Sequence, residues 1–270
     1  MRRKKHKQAL LLFLVAFVSP SAAMAGLITV AGHGPELPVI ERLARAFEKA
    51  NLGSYVDVQW DPNSQPVELV KAGAAHVAVT AHEQAGLTAL PLAWDAIALV
   101  VDATNPVKQL TTAQAAGIFA GTVKRWSELG GADTVIQIMD RPPHQHIRQG
   151  LEEALGIAGH RRTVTKAINS DQRAISTVAG NLAAITYASM GVAQEAVTYG
   201  VSVTVLMIDG VEASEDTVKD GRYKLRRGVL LVMRPNPEPL AEAFVAFARS
   251  AEGQAIVDEL FIPYAALRRP

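Results

Sequence analysis

The 270-residue chain contains no cysteine, and only 6% of its residues are aromatic. Without thiols it can have neither a disulfide framework nor a thiolate nucleophile or metal ligand. Common catalytic motifs are missing as well, because no Gly-x-Ser-x-Gly, His-Glu-x-x-His or Gly-x-x-x-x-Gly-Lys segment occurs. The acidic residues form no motif from which a general acid and base could be assigned. We therefore predict a protein that is not an enzyme and uses no cofactor.

The N-terminus has the three parts of an export signal. Basic residues precede an apolar segment at Ala9–Val18, which is too short to span a bilayer comfortably. Ala23-Met24-Ala25 then has the small-x-small form that signal peptidase cleaves, and no cysteine follows to make it a lipoprotein signal. We predict that residues 1–25 are a signal peptide, cleaved near Ala25, and that the mature protein resides in the periplasm. An uncleaved membrane anchor is the alternative, which the cleavage motif disfavours.

Strong net charge of one sign is also lacking. The whole chain has 27 Lys and Arg against 26 Asp and Glu, and five of the basic residues belong to the leader. The mature chain therefore has 22 basic residues against 26 acidic ones and carries no basic stripe. This balance argues against nucleic acid or a membrane surface as a partner.

The pattern of apolar residues predicts alternating strands and helices. The first elements are a β-branched run at Leu27–Ala31, helical spacing from Glu36, alternation over Tyr55–Trp60, a helix after Asn63-Ser64 and a strand at His76–Thr80. This β-α-β-α-β order is typical of a layered α/β fold with a parallel sheet. Because no flexible linker follows, we expect two lobes between which the chain crosses at strands.

Several predicted helices begin at small or polar residues. These starts are His33-Gly34-Pro35, Asn63-Ser64, Arg141-Pro142-Pro143-His144 and Ser170-Asp171. The first turn of a helix presents unpaired N–H groups and a partial positive charge, which suit a small anion. If the fold brings these starts together across a cleft, the protein binds a small solute.

Four segments together resemble one family. They are Leu110–Leu129 (L-T-x-x-Q-x-x-x-I-F-x-G-x-x-x-x-W-x-x-L), Asn169-Ser170-Asp171 with Ala184–Gly191, the stretch from Gly210 to Arg227, and Ser250–Gln254. In this order they are similar to the phosphate-binding proteins of ABC importers, which are type II periplasmic solute-binding proteins. The resemblance extends over residues 27 to about 264.

The resemblance implies an α/β fold of two lobes with the ligand cleft between them. Lobe one would comprise residues 27–103 and 204–270, and lobe two would comprise residues 104–203. It also implies a small anion as ligand, either phosphate or another oxyanion or carboxylate. The partner would then be an ABC permease in the inner membrane.

The chain departs from this family at the ligand. His33-Gly34-Pro35-Glu36 replaces a loop that usually carries Ser and Thr, and Pro142-Pro143 removes two backbone donors from another. A carboxylate that the family uses to accept the proton of phosphate is missing at Gly73-Ala74-Ala75-His76. We therefore expect phosphate to bind weakly or not at all. The alternative function is a transport-silent periplasmic sensor or accessory protein that recognises a protein partner.

Six residues are the candidate ligand contacts: His33, Gly34, Ser64, Arg141, His144 and Ser170. Arg141 could clamp an oxyanion or be a surface charge at a turn. For Ser64 and Ser170, an N-cap role explains the residue without a ligand. A transition-metal site is an alternative for five histidines, namely His33, His76, His82, His144 and His146. The family resemblance does not imply one, and we predict no metal.

Overall fold

The structure is a computed structural model that describes residues 25–160 and 165–266. The predicted signal peptide, except for Ala25, lies outside the described residues. Among the residues described, no helix has both the length and the apolar character needed to cross a membrane.

Strands and helices alternate along most of the chain. The strands are β1 (Gly26–Gly32), β2 (Ser54–Trp60), β3 (Val77–Thr80), β4 (Thr88–Asp102), β5 (Gln109–Leu110), β6 (Gln137–Asp140), β7 (Lys166–Ala167), β8 (Ala184–Ser189), β9 (Val203–Val205), β10 (Met207–Ile208), β11 (Arg226–Met233) and β12 (Ile262–Pro263). The α-helices are α1 (Leu37–Ala50), α2 (Pro66–Ala72), α3 (Thr112–Ala120), α4 (His146–Ala154), α5 (Asp171–Val178), α6 (Met190–Thr198), α7 (Glu215–Lys219), α8 (Pro239–Ala248) and α9 (Ala251–Val257). A short 3-10 helix covers Trp126–Leu129.

The main sheet has the strand order β2-β1-β3-β11-β4-β8-β6-β7, with β9 and β12 paired to β4. The predicted parallel pairing is present at both ends, where β1 pairs with β2 and β3, and β6 pairs with β7 and β8. The middle strands differ, because β11 and β4 pair antiparallel to each other and to their neighbours β3 and β8. The sheet is therefore mixed. A buried apolar run predicts a strand but does not indicate its direction.

Strand β4 is longer than its apolar pattern indicates. The sequence predicts a strand at Ala96–Val101, whereas β4 begins at Thr88. Pro91 interrupts the expected pattern because proline cannot donate to a ladder. It lies opposite Leu230, where the pairing with β11 shifts register. The strand continues through this irregularity and reaches into both halves of the molecule.

Two large apolar cores lie at the two ends of β4 and β11. One contains Leu43, Phe47 and Phe244 and includes β4 as far as Ala93. The other contains Phe119, Trp126 and Tyr187 and includes β4 from Ala96. At the start of β11 the chain passes from the second core, which contains Leu225, to the first core, which contains Val229. The chain thus crosses between cores at strands, while the lobe boundaries near residues 103 and 204 stay a prediction.

Candidate functional site

A cavity of about 260 Å³ lies where the starts of α2 and α4 face each other. Helix α1, whose preceding loop lines the cavity, packs in the first core, and α4 packs in the second. The cavity is lined by His33, Ser64, Gln65, Pro66, Val67, Glu68, Val79, Thr80, Gln84, His144, His146 and Gln149. Most of these side chains are polar, so the cavity can make several hydrogen bonds to a small solute.

Three imidazole rings form one wall of the cavity. The rings of His33 and His146 stack with their centroids 4.6 Å apart, and His144 meets His33 edge-on at 5.7 Å. Burial, reinforced by His146, lowers the pKa of His33 to about 3, so this ring is neutral at pH 7. The Nδ1 atoms of His33 and His146 are buried without a hydrogen-bond partner. Both rings therefore retain unused hydrogen-bonding capacity.

A buried cluster of charges lies behind these rings. The Arg227 guanidinium donates through Nη2 to Glu36 Oε1 at 2.5 Å and to Asp95 Oδ2 at 2.7 Å. The Nε2 atom of His146 lies 3.0 Å from Glu36 Oε2 and donates to it, because an ionised carboxylate only accepts. All four residues are at least 96% buried. The cluster is thus closed off from water, and its carboxylates are paired internally, while Arg227 Nη1 is buried without a hydrogen-bond partner.

Burial and pairing act oppositely on the carboxylate of Glu36. Burial disfavours its ionisation, but Arg227 and His146 outweigh this effect and hold the pKa of Glu36 well below its usual range. The two carboxylates likewise raise the pKa of Arg227 against the effect of burial. Glu36 and Arg227 are therefore both charged at neutral pH.

Asp95 behaves differently, since burial raises its pKa to about 6 from 3.8 despite its contact with Arg227. A carboxyl whose folded pKa is raised adds stability below its unfolded pKa and loses that contribution as the pH rises through the folded value. We expect the wild type to gain on the order of 2 kcal/mol over Asp95→Asn as the pH falls from 6 to 4. Urea unfolding of both proteins at several pH values measures this, and a pH-independent difference would contradict it.

Gly34 brings the loop before α1 close to this cluster. Its φ of 102° is in a region that L side chains rarely adopt. A Cβ atom here would lie 3.0 Å from His146 Nε2 and 3.1 Å from Glu36 Oε2. Only glycine therefore allows both this backbone conformation and the Glu36–His146 contact.

We expect Gly34→Ala to lower the free energy of unfolding by about 1–3 kcal/mol, because it combines backbone strain with the close contact to His146 and Glu36. The matched control is Gly86→Ala, where φ is 79° and a Cβ would meet nothing within 4 Å. Chemical denaturation of both variants separates strain from contact. Equal losses would show that the space beside His146 and Glu36 is not limiting.

Arg141 forms an ion pair inside the second half of the molecule, although its Nε is buried without a hydrogen-bond partner. Its Nη2 donates to Asp171 Oδ1 and to the carbonyl of Tyr187, both at 2.8 Å. The Asp171 carboxylate also accepts from the backbone N–H of Ser189. The guanidinium is wholly buried and is not among the groups that line the cavity. Arg141 is therefore an internal ion-pair partner rather than a surface charge.

The structure brings together part of the predicted set of ligand contacts. His33, Ser64 and His144 line the cavity, and Gly34 lies against His146 behind it. Arg141 and Ser170 are not among the lining residues. Whether any of the six contacts a ligand stays a prediction.

The two serines differ in their local roles. Ser170 is the N-cap of α5, where its hydroxyl accepts from Arg173 N–H. The prediction that Ser64 is a helix N-cap is wrong, because α2 begins at Pro66 with Gln65 as its N-cap. The Ser64 hydroxyl instead donates to the carbonyl of Asp61 at 2.8 Å, within a turn.

The histidines considered for a metal site do not form one coordination sphere. His76 accepts from Thr29 N–H through Nδ1, and His82 lies 3.4 Å from Glu153. Across residues 25–160 and 165–266, no group of three or more His, Cys, Asp or Glu side chains is arranged to hold a metal ion.

Sequence reasoning missed the importance of Glu36, Asp95, Arg227 and His146. Glu36 was apparent only as part of a loop that departs from the family, and Arg227 only as the end of a family-like segment. Their pairing joins residues 191 positions apart. Charged side chains are rarely buried without a partner. Once the topology is known to bury both Glu36 and Arg227, a contact between them is therefore expected.

This architecture, with a polar cavity where two α/β cores meet at helix starts, defines a class of two-lobed solute-binding proteins. Residues 18–252 match the family model described as PBP superfamily domain. The chain belongs to this superfamily, and the predicted two-lobed α/β fold is confirmed.

Individual relatives agree with this assignment. The chain is 26% identical to phosphate-binding protein PstS of Bacillus subtilis, over 96% of this chain and 95% of that one. It is similar to a structure from Clostridium perfringens, assigned as a substrate-binding protein of a phosphate ABC transporter with bound phosphate. That likeness has a TM-score of 0.78, 30% identity, and coverage of 88% of this chain and 99% of the other. An ABC-type phosphate transport receptor from Vibrio cholerae matches with a TM-score of 0.74 and 25% identity, over 88% of this chain and 100% of that receptor. The predicted resemblance to the phosphate-importer type is confirmed.

Proposed function

We propose that this protein is the periplasmic substrate-binding protein of a phosphate-type ABC importer and delivers a small anion to an inner-membrane permease. The anion is phosphate, another oxyanion or a small carboxylate. The relatives named above support the importer class, and the predicted signal peptide supports export.

One observation carries the proposal at the level of the site. The 260 Å³ cavity is lined by residues at the starts of α2 and α4 and by His33 from the loop before α1. Ser64, His33 and His144 bring a hydroxyl and two imidazoles to the same wall. A small solute held there contacts both cores at once, which is how ligand binding favours a closed arrangement of two lobes.

The test is a calorimetric binding screen of the exported protein. The full chain is expressed with its own leader, purified from the periplasm and checked by mass spectrometry for a start at Gly26. The ligands are phosphate, sulfate, phosphonates and small carboxylates, with zinc as a check on the histidines. Binding of one anion supports the proposal. No binding by any of them would contradict it, and an uncleaved leader would contradict the export step.

A second function is favoured by the charge of the cavity. Among its described lining residues there is no lysine or arginine, and the carboxylate of Glu68 pairs with Lys71 at 2.8 Å. A transport-silent sensor or accessory protein that recognises a protein partner would need no free cation there. Silence throughout the anion screen would favour this second function.

A further inference from the structure

The carboxylate of Glu36 lies behind the cavity wall that His146 forms, and it binds donors of the kind that hold soluble anions. Glu36 is the residue before α1, and its partner His146 is the first residue of α4. Its two oxygens receive Arg227 Nη2 and His146 Nε2. Guanidinium and imidazole donors are the groups with which proteins commonly bind soluble oxyanions.

We infer that Glu36 sets the ligand specificity of this cleft by acting as a built-in carboxylate ligand of Arg227 and His146, in competition with soluble anions. The inference rests on the proposed function and deepens it, because it identifies what a successful ligand must overcome. A ligand that offers only negative charge competes with a carboxylate already in place.

The competition is unequal because Glu36 is tethered. An intramolecular group binds at an effective concentration that a dilute solute does not reach. Glu36 is also ionised throughout the neutral range, since Arg227 and His146 overcome the effect of burial on its pKa. An anion that entered beside it would meet both an occupied guanidinium and a like charge.

The rest of the cavity does not compensate for this occupied pair. Its described lining has amides, hydroxyls, imidazoles that include the neutral ring of His33, and the carboxylate of Glu68, without a lysine or arginine. The other buried guanidinium nearby, that of Arg141, is paired with Asp171. Ligands that gain affinity from several neutral hydrogen bonds are therefore favoured over simple dianions.

The same carboxylate joins the two cores. Glu36 begins a helix of the first core, and His146 begins a helix of the second. In solute-binding proteins of two lobes, a bound ligand forms such a bridge. Here the chain forms it with its own side chain, and His144 adds a contact across the same interface through Nε2, 2.7 Å from the carbonyl of Pro62.

The test compares phosphate binding to the wild type and to Glu36→Gln by calorimetry at pH 7.5. Removing the charge leaves Arg227 paired with Asp95 alone and His146 without a carboxylate partner. We therefore expect phosphate to bind at least about tenfold more tightly to the variant. The control is Glu41→Gln, an exposed glutamate on the same helix, which should leave phosphate affinity unchanged.

A second variant keeps the test decisive if Glu36→Gln folds poorly. In Glu36→Ala, acetate or phosphate can fill the space that the carboxylate vacates. We expect either anion at millimolar concentration to raise the melting temperature of this variant by several degrees more than that of the wild type or Glu41→Gln. Equal effects on all three proteins would overturn the inference.

The possible results separate this inference from the proposed function. If phosphate binds the wild type and binds Glu36→Gln no more tightly, the importer function stands and the role of Glu36 is overturned. If only the Glu36 variants bind anions, the role of Glu36 stands and the importer function fails. If no protein in the set binds an anion, both are overturned.

Discussion

Replacing Arg227 with methionine is expected to lower the free energy of unfolding by about 3–5 kcal/mol at pH 8. The substitution leaves the carboxylates of Glu36 and Asp95 buried together without their shared cation. Both folded-state pKa values should then lie above their unfolded values, so stability is lost as the pH rises. We therefore expect a clearly smaller loss at pH 5 than at pH 8, measured by urea unfolding.

The neighbouring Arg226→Met is the matched control for Arg227→Met. Arg226 is partly exposed and lies over the ring of Trp94 at 5.6 Å instead of pairing with a buried carboxylate. Replacing Arg226 should lower the free energy of unfolding far less, and that small loss should not depend on pH in the same way. Similar losses in the two variants would mean that the buried cluster does not need its guanidinium.

Asp171→Ala is expected to lower the free energy of unfolding by a similar amount, about 3–5 kcal/mol. The reason differs, because this variant leaves one buried cation without a partner instead of two buried anions. The variant leaves the wholly buried Arg141 without its carboxylate and the N–H of Ser189 without its acceptor. Because the guanidinium stays charged at every accessible pH, we expect this loss to vary little between pH 6 and 9. Denaturant titrations across that range measure it.

The comparison for Asp171→Ala is Asp133→Ala, which also removes an aspartate paired with an arginine. The side chains of Asp133 and Arg125 are 76% and 43% exposed, so water replaces the lost contact. No measurable change in stability is expected. A large loss of stability in Asp133→Ala, or no loss in Asp171→Ala, would contradict the expectation that only the buried ion pair stabilises the fold.

Arg227 and Arg141 share one feature, since each is paired with carboxylates inside the protein. The two buried guanidinium groups are held by carboxylates of the chain itself, Arg227 by Glu36 and Asp95 and Arg141 by Asp171. They position the helix starts of α1, α4 and α5. We expect an anion in this cleft to compete with Glu36 for Arg227 and His146.

Much of the fold could be predicted because its signals are local. The period of apolar residues identified α1 and the strands β1 to β3, and the segment Leu110–Leu129 carried the family resemblance. Local signals also identified Ser170 as a cap, since an N-cap serine bonds within its own first turn. The same dependence on neighbouring residues explains the error at Ser64, because a turn before Pro66 moved the N-cap one residue further, to Gln65.

By itself, the sequence determined the class of fold, the N-cap of α5 at Ser170 and three of the groups that line the cavity, because each depends on a few neighbouring residues. The direction of β4 and β11, the pairing of Glu36 with Arg227 and the burial of Arg141 were decided only by tertiary structure. A charge in a sequence does not reveal its dielectric surroundings or its partner. Both depend on which distant segments pack together, and here that packing turned a loop glutamate into the internal ligand of the cleft.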